Sequence, residues 1–326
     1  MKKLVVAAIC IVCLFSCKQK ENKPTECEFT NNLIAPKSCI TYEQEMIVPE
    51  EYFFFKSIDF KQLLRELKQK STEKKITTYL PFSDIVCNDN DLQTKFSDEY
   101  NENEFKSLLF NEEWALDTAQ FIMKKKVNSY SLVRQYVRNS EYVGKVQTKS
   151  IVARYDFTKE PMPTVGDKSF RLLAENVAYE VPLVNTENPE FLDDIQVKQV
   201  VKTIVGKAIS GNVDCYSFAY RDSLILRDFD EVKQSLGKEI ICYDTENTET
   251  NEIDTLCIDK EIDFKEFTGL AFIEDWYLND STMEIFKDVK GIAPVRTYYH
   301  NTDDTQSELV KSIPFVMYLK NHDKGK

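Results

Sequence analysis

The sequence contains only two tryptophans, Trp114 and Trp276, and they lie in matching segments. Phe105–Tyr136 and Phe267–Tyr298 align without a gap at a spacing of 162, with 11 of 32 positions identical. The identities are Phe105, Leu108, Phe110, Glu112, Trp114, Leu116, Lys125, Val127, Val133, Arg134 and Tyr136. Ordinary residue frequencies give about two by chance. An internal repeat restricts a chain to architectures that use one unit twice. The match continues upstream at a spacing of 137, where 60–79 resembles 197–216. Phe60, Leu63, Leu64 and Leu67 fall at i, i+3, i+4 and i+7, as do Val197, Val200, Val201 and Ile204. Each set predicts an amphipathic helix with one buried stripe. A short alternating segment follows each helix, Ile76–Tyr79 and Val213–Tyr216. The change of spacing puts a 25-residue insertion in the second copy, between Tyr216 and Phe267.

Local patterns fill in the rest. Lys159–Pro163 reads as a break between the copies, and Val177–Pro182 as an apolar alternation leading into the second. The insertion includes Tyr243–Asn251, an acidic, Thr-rich stretch expected as an exposed loop. Asn279–Thr282 has the composition of a hairpin turn. Two strands are expected beyond it, Met283–Val289 and Ile292–Tyr299, separated by Lys290-Gly291, with a last strand over Ile313–Leu319. The expected fold is α+β, two tandem copies of a helix-plus-antiparallel-strand unit over 49–158 and 159–326.

Residues 1–16 have the form of a secretory signal: Lys2 and Lys3, then the apolar Leu4–Phe15, too short to span a bilayer comfortably. Leu14-Phe15-Ser16-Cys17 resembles the bacterial lipobox, which implies acylation of Cys17 and anchoring by its acyl chains. Lys18 in place of Asp favours the outer membrane, and Lys18–Glu21 is similar to charged tetrads that send some bacterial lipoproteins to the cell surface. Residues 17–48 are polar, with Pro24 and Pro36, and are expected as a flexible tether.

The net charge is −12, and −14 once Lys2 and Lys3 leave with the signal, so nucleic acid is not a partner. Eight glycines argue against phosphate-cradling loops, and the 16 tyrosines and 21 phenylalanines fit core packing more simply than a carbohydrate platform. Beyond Cys17, six cysteines remain: Cys27, Cys39, Cys87, Cys215, Cys242 and Cys257. Export permits disulfides, with Cys27–Cys39 and Cys242–Cys257 as the local pairings and buried free thiols as the other outcome. Their spacing fits no zinc pattern.

Glu274–Val295 resembles the C-terminal signature of the GldN/PorN family. The resemblance rests on Glu274, Asp275, Trp276, Asn279, Met283, Ile285, Gly291, Ile292, Ala293 and Pro294. Pro314–Leu319 stands where the family has a hydrophobic strand, and the helices at 60–79 and 197–216 resemble the family's helix. The family's Trp-Arg-x-Ile-Asp-Leu entry motif is absent, with Phe170–Leu173 a faint echo, and family members usually carry an ordinary signal peptide. The resemblance implies a divergent, lipidated member and a structural part rather than a catalyst. The family forms periplasmic rings with a lipoprotein partner under the outer membrane, in the type IX secretion machinery that also supports gliding. It therefore implies that ring lipoprotein and other secretion components as partners, with self-association of the chain. The alternative is a surface-exposed lipoprotein that binds a glycan or host protein and has no secretion role.

Catalysis has little to work with. His300 and His322 are the only histidines, and no GxSxG, HExxH, P-loop or EF-hand spacing occurs. No cofactor or metal is implied; Asp193-Asp194 and Asp303-Asp304 read as solvated acidic loops rather than calcium ligands. Glu112-Glu113 and Glu274-Asp275 are adjacent carboxylates whose side chains leave a strand on opposite faces, so neither pair is a glycosidase dyad. A hydrolase would need one carboxylate from each copy to meet in a cleft. The expected partners of Glu112 and Glu274 are instead Arg134 and Arg296, which recur in register.

Overall fold

The computed structural model describes residues 37–46, 58–96, 102–117, 121–140, 144–157, 163–182, 195–211, 213–217, 225–247, 252–303 and 306–319. The signal, Cys17, Cys27, Asp193, Asp194, Asp304 and His322 lie outside them. In chain order the first half holds β1 (Lys37–Glu45), α1 (Phe60–Thr72), α2 (Asp89–Lys95), a 3-10 turn (Glu102–Glu104), β2 (Phe105–Asp117), β3 (Ile122–Ser140) and β4 (Gly144–Asp156). The second holds β5 (Phe170–Pro182), α3 (Ile195–Ile209), α4 (Phe229–Ser235), β6 (Glu239–Asn247), β7 (Glu252–Lys260), a 3-10 turn (Phe264–Glu266), β8 (Phe267–Asn279), β9 (Ile285–Asp303), β10 (Gln306–Ser312) and β11 (Met317–Tyr318).

Two antiparallel sheets carry the fold. The first runs β1-β2-β3-β4; the second runs β5-β8-β9-β10, with β11 also against β9. Their inner faces meet in one core that also takes the apolar stripes of α1 and α3. On α1 that stripe is Phe60, Leu63, Leu64 and Leu67, as the spacing predicts. Asp59 caps α1 by accepting from the Gln62 amide, and Asn88 and Asp91 form a reciprocal capping box on α2. The helices end alike: Lys74 after α1 and Gly211 after α3 both take the left-handed conformation, at φ 55° and 68°.

The α+β expectation of tandem helix-plus-strand units is overturned. Strand outnumbers helix by more than two to one among the described residues, and antiparallel sheets dominate. Three readings account for the difference. The expected pair of strands around Lys290-Gly291 is one long strand, β9, with a bulge rather than a break. Lys37–Glu45, placed in the tether by its polarity, is the edge strand β1. Most of the expected acidic loop, from Tyr243 to Asn247, belongs to the β6–β7 hairpin. In the other direction, the expected final strand shrinks to Met317–Tyr318, and the segments after α1 and α3 reduce to isolated bridges, two each at Tyr79 and Tyr216. Strands such as β2, buried at nine of 13 residues and on both faces, show little of the alternation that would reveal them.

Candidate functional site

At the centre of the sheet-to-sheet interface lies a cluster of charged and aromatic side chains. Glu112 and Trp114 stand two apart on β2, and Glu274 and Trp276 two apart on β8, so each pair shares a face. Each indole Nε1 donates to the carboxylate of its own strand, Trp114 to Glu112 at 2.8 Å and Trp276 to Glu274 at 2.9 Å. Lys125 lies directly opposite Trp114 in the β2–β3 ladder, and Lys287 directly opposite Trp276 in the β8–β9 ladder.

The lysines do not serve their own sheets. Lys125 Nζ lies 2.7 Å from Glu274, and Lys287 Nζ lies 2.6 Å from Glu112. The ion pairs therefore cross between the sheets. Tyr42 of β1 donates to Glu112 at 3.0 Å, and Tyr179 of β5 donates to Glu274 at 2.8 Å. Each hydroxyl also accepts from a lysine, Tyr42 from Lys287 at 2.8 Å and Tyr179 from Lys125 at 3.0 Å, and the two oxygens meet at 3.0 Å. Lys125 sits 3.0 Å from the centroid of Phe272, and Lys287 3.4 Å from that of Phe110, so each ammonium is also held by a ring face of the opposite sheet.

All four charged side chains are fully buried. Burial pulls the Lys125 ammonium down to about 8 against the opposing pull of Glu274 and Glu112, and pulls Lys287 below the usual lysine range. Burial alone pushes the Glu112 carboxyl up, but Lys287 and Lys125 outweigh it and hold the group below the ordinary carboxylate range. Burial, reinforced by the two carboxylates, drives the Tyr42 and Tyr179 hydroxyls well above 10. Carboxylates from both halves do meet, as a hydrolase would require. They meet in the core, neutralised by lysines, and not in a cleft.

The remaining sequence-chosen residues surround this cluster. Glu113 and Asp275 leave on the opposite strand face, where Asn128 donates to Glu113 at 3.1 Å and Lys290 pairs with Asp275 at 2.6 Å. Asn128 and Lys290 are the extra residues of matching bulges in β3 and β9. The expected Glu112–Arg134 and Glu274–Arg296 contacts are not made. Arg134 pairs instead with Glu104 at 2.5 Å and Arg296 with Glu266 at 2.6 Å, each from its 3-10 turn. The reason is register: Arg134 lies opposite Phe105, whereas Glu112 lies opposite Val127, well along the same ladder.

The Asn279 side chain accepts from the amides of Ser281 and Thr282, which closes the expected turn. Met283 ends that turn at φ 62°, buried, with its carbonyl accepting from Tyr130 at 2.7 Å. Gly291 lies where an added Cβ would come within 3.2 Å of Val316. Ile292 and Ala293 are fully buried. Pro294, opposite Leu270, falls between the β11 pairing at Gly291–Ile292 and the β10 pairing that starts at Arg296, so on that side of β9 no described strand pairs with it.

Sequence reasoning missed Tyr42 and Tyr179 and gave Lys125 no role. The signal was present: the spacing of 137 that relates the helices also relates the two tyrosines, and Lys125 was among the 11 identities. Of the cysteines, Cys242 and Cys257 form the expected disulfide across directly opposite positions of β6 and β7, and Cys87 and Cys215 are buried free thiols. Cys39 lies on β1.

No curated protein matches the chain. Residues 172–321, from within β5 to beyond β11, match the family model described as gliding motility associated protein GldN. The second tryptophan-centred sheet and its half of the buried cluster lie inside that match, so over this segment the chain is similar to the GldN family.

Proposed function

We propose that this is a non-enzymatic envelope lipoprotein that works by protein contacts in or beside the type IX secretion and gliding machinery. The observation that carries the reading is the GldN match over 172–321. Its support from chemistry is the fate of the paired residues. Glu112, Lys125, Glu274 and Lys287, the acids and bases best suited to catalysis by their recurrence, are spent on holding two sheets together. We further read the two halves as copies of one duplicated unit. The pairwise equivalence of Tyr42 with Tyr179, Glu104 with Glu266, Glu112 with Glu274 and Lys125 with Lys287 supports this, since each pair makes the same contact. Acylation at Cys17 would hold the chain at the outer membrane.

Crosslinking in whole cells carrying a C-terminally tagged chain tests the role. Recovery of the ring lipoprotein and other secretion components is the expected result. Recovery of neither, where a known ring subunit is captured in parallel, would leave the surface-binding alternative. Cys17→Ala is expected to move the chain from the membrane to the soluble fraction on fractionation; retention in the membrane would refute the anchor.

A further inference from the structure

The second half carries one element that the first lacks. In the first half α2 ends at Lys95 and the 3-10 turn begins at Glu102. In the second, the β6–β7 hairpin is inserted between α4 and the corresponding turn. The turn and β8 still take the same places as their counterparts, so the fold does not need the hairpin. The hairpin is a sheet of its own, and neither strand has a second neighbour among the described residues. A lone hairpin is marginal in water. Here the Cys242–Cys257 bridge holds it in register without a covering layer among the described residues.

That uncovered hairpin exposes large apolar side chains. Tyr243 and Leu256 lie directly opposite each other, and Ile258 follows on the same face; each is at least 50% exposed. Ile240 and Ile253, on the other face, are about 70% exposed. Single exposed apolar residues are ordinary, but a contiguous row with polar surroundings marks a contact surface. The two strands are acidic in sequence, with Glu239, Asp244, Glu246, Glu252, Asp254 and Asp259 against Lys260, and a further base, Lys238, lies just before β6 and 3.8 Å from Asp259. A second copy of this chain, itself at −12, would bring like charge to like charge. A basic partner meets complementary charge.

We propose that the β6–β7 hairpin docks an extended, basic segment of a partner protein, which adds along the β7 edge as a third strand. Its backbone takes the free edge, its apolar side chains extend the Tyr243–Leu256–Ile258 row, and its lysines or arginines meet the flanking acids. This deepens the contact role proposed above and rests on it.

The test uses the full mature chain and a fluorescent eleven-residue peptide alternating valine and lysine, with a valine–glutamate peptide as control. Fluorescence anisotropy is expected to show binding of the lysine peptide, weakened by salt, and at least about tenfold weaker binding of the control. Tyr243→Ser/Leu256→Ser/Ile258→Ser is expected to weaken binding at least about tenfold while the disulfide and the far-UV spectrum persist. Asp244→Asn/Asp259→Asn, which leaves the apolar row intact, is expected to weaken the lysine peptide alone. No binding of the lysine peptide, equal binding of both peptides, or binding indifferent to both variants would overturn the proposal. A dimer in sedimentation that the triple serine variant dissolves would also overturn it, by assigning the face to a second copy. Because the probe is a peptide, these failures are separable from failure to capture secretion components in cells.

Discussion

Lys125→Met would leave Glu274 buried without its cation. The expected loss is about 3–5 kcal/mol in urea unfolding, and Lys125→Met/Glu274→Met is expected to recover most of it, because replacing a whole buried pair is far cheaper than breaking it. Equal losses in the single and double variants would contradict the pairing. The same lysine predicts a pH dependence. Its folded value, about 8, lies below that of an unfolded lysine, so between them the unfolded chain binds more protons and stability rises with pH. Tyr42 and Tyr179 act oppositely: their folded values are raised, the unfolded chain loses those protons first, and stability falls above about pH 10. Between about pH 8 and pH 10 the urea midpoint of the parent is therefore expected to gain on that of Lys125→Met, because Lys287, also lowered, and the raised Cys215 thiol act alike in both, and above about pH 10 both fall. Trp276→Ala, at a fully buried indole, should cost about 3–5 kcal/mol. At this scale the sequence was informative about which residues matter and silent about whom they touch. Aligning the two tryptophan segments reveals equivalent positions, but the contacts of Glu112 and Lys125 run between the two sheets. No spacing within a segment encodes them, and the nearer-looking partner, Arg134, is carried past Glu112 by the ladder register.

Among elements, helices α1 and α3 were legible because one buried face against one exposed face leaves a period in the sequence. Strands buried on both faces, such as β2, leave little, and the long β9 was divided at Lys290-Gly291, where a bulge and a tight contact with Val316 are what the glycine serves. The short helices α2 and α4 were missed, although the Asn88 and Asp228 caps announce them. Beyond α4, Gly237 takes φ 87°, and an added Cβ would fall 2.4 Å from the Arg296 guanidinium, itself tied to Glu266 and the Ser235 carbonyl. Gly237→Ala is expected to destabilise by more than about 1 kcal/mol in thermal or urea unfolding, from backbone strain and displacement of that arginine together. For the β6–β7 hairpin, Cys242→Ser/Cys257→Ser removes a crosslink whose loop-closure value is about 3 kcal/mol. Limited proteolysis should then cut within 239–260, while the urea midpoint of the rest stays in place, because the exposed hairpin contributes little to the common core.

For the molecule as a whole, the two sheets share one core, and further contacts cross between the halves. The Lys70 ammonium of α1 meets the Asp280 carbonyl in the β8–β9 turn, Arg171 joins Asp280 to Glu66, and Lys207 of α3 sits over Phe121 beside the β2–β3 turn. The expected result is one unfolding transition, with tryptophan fluorescence and far-UV signal superimposing, and both moved together by Lys125→Met. Two separated transitions would mean that the halves are independent modules. The crossed lysines also leave a mark on descent. Within one lineage, a change at Glu112 is tolerated only if Lys287 changes with it, and a change at Glu274 only if Lys125 does. Related sequences should therefore show position 112 covarying with 287 and 274 with 125, and no such coupling between the closer neighbours 112 and 125. Once paired this way, neither half can drift, be lost or be replaced by a foreign copy without the consent of the other.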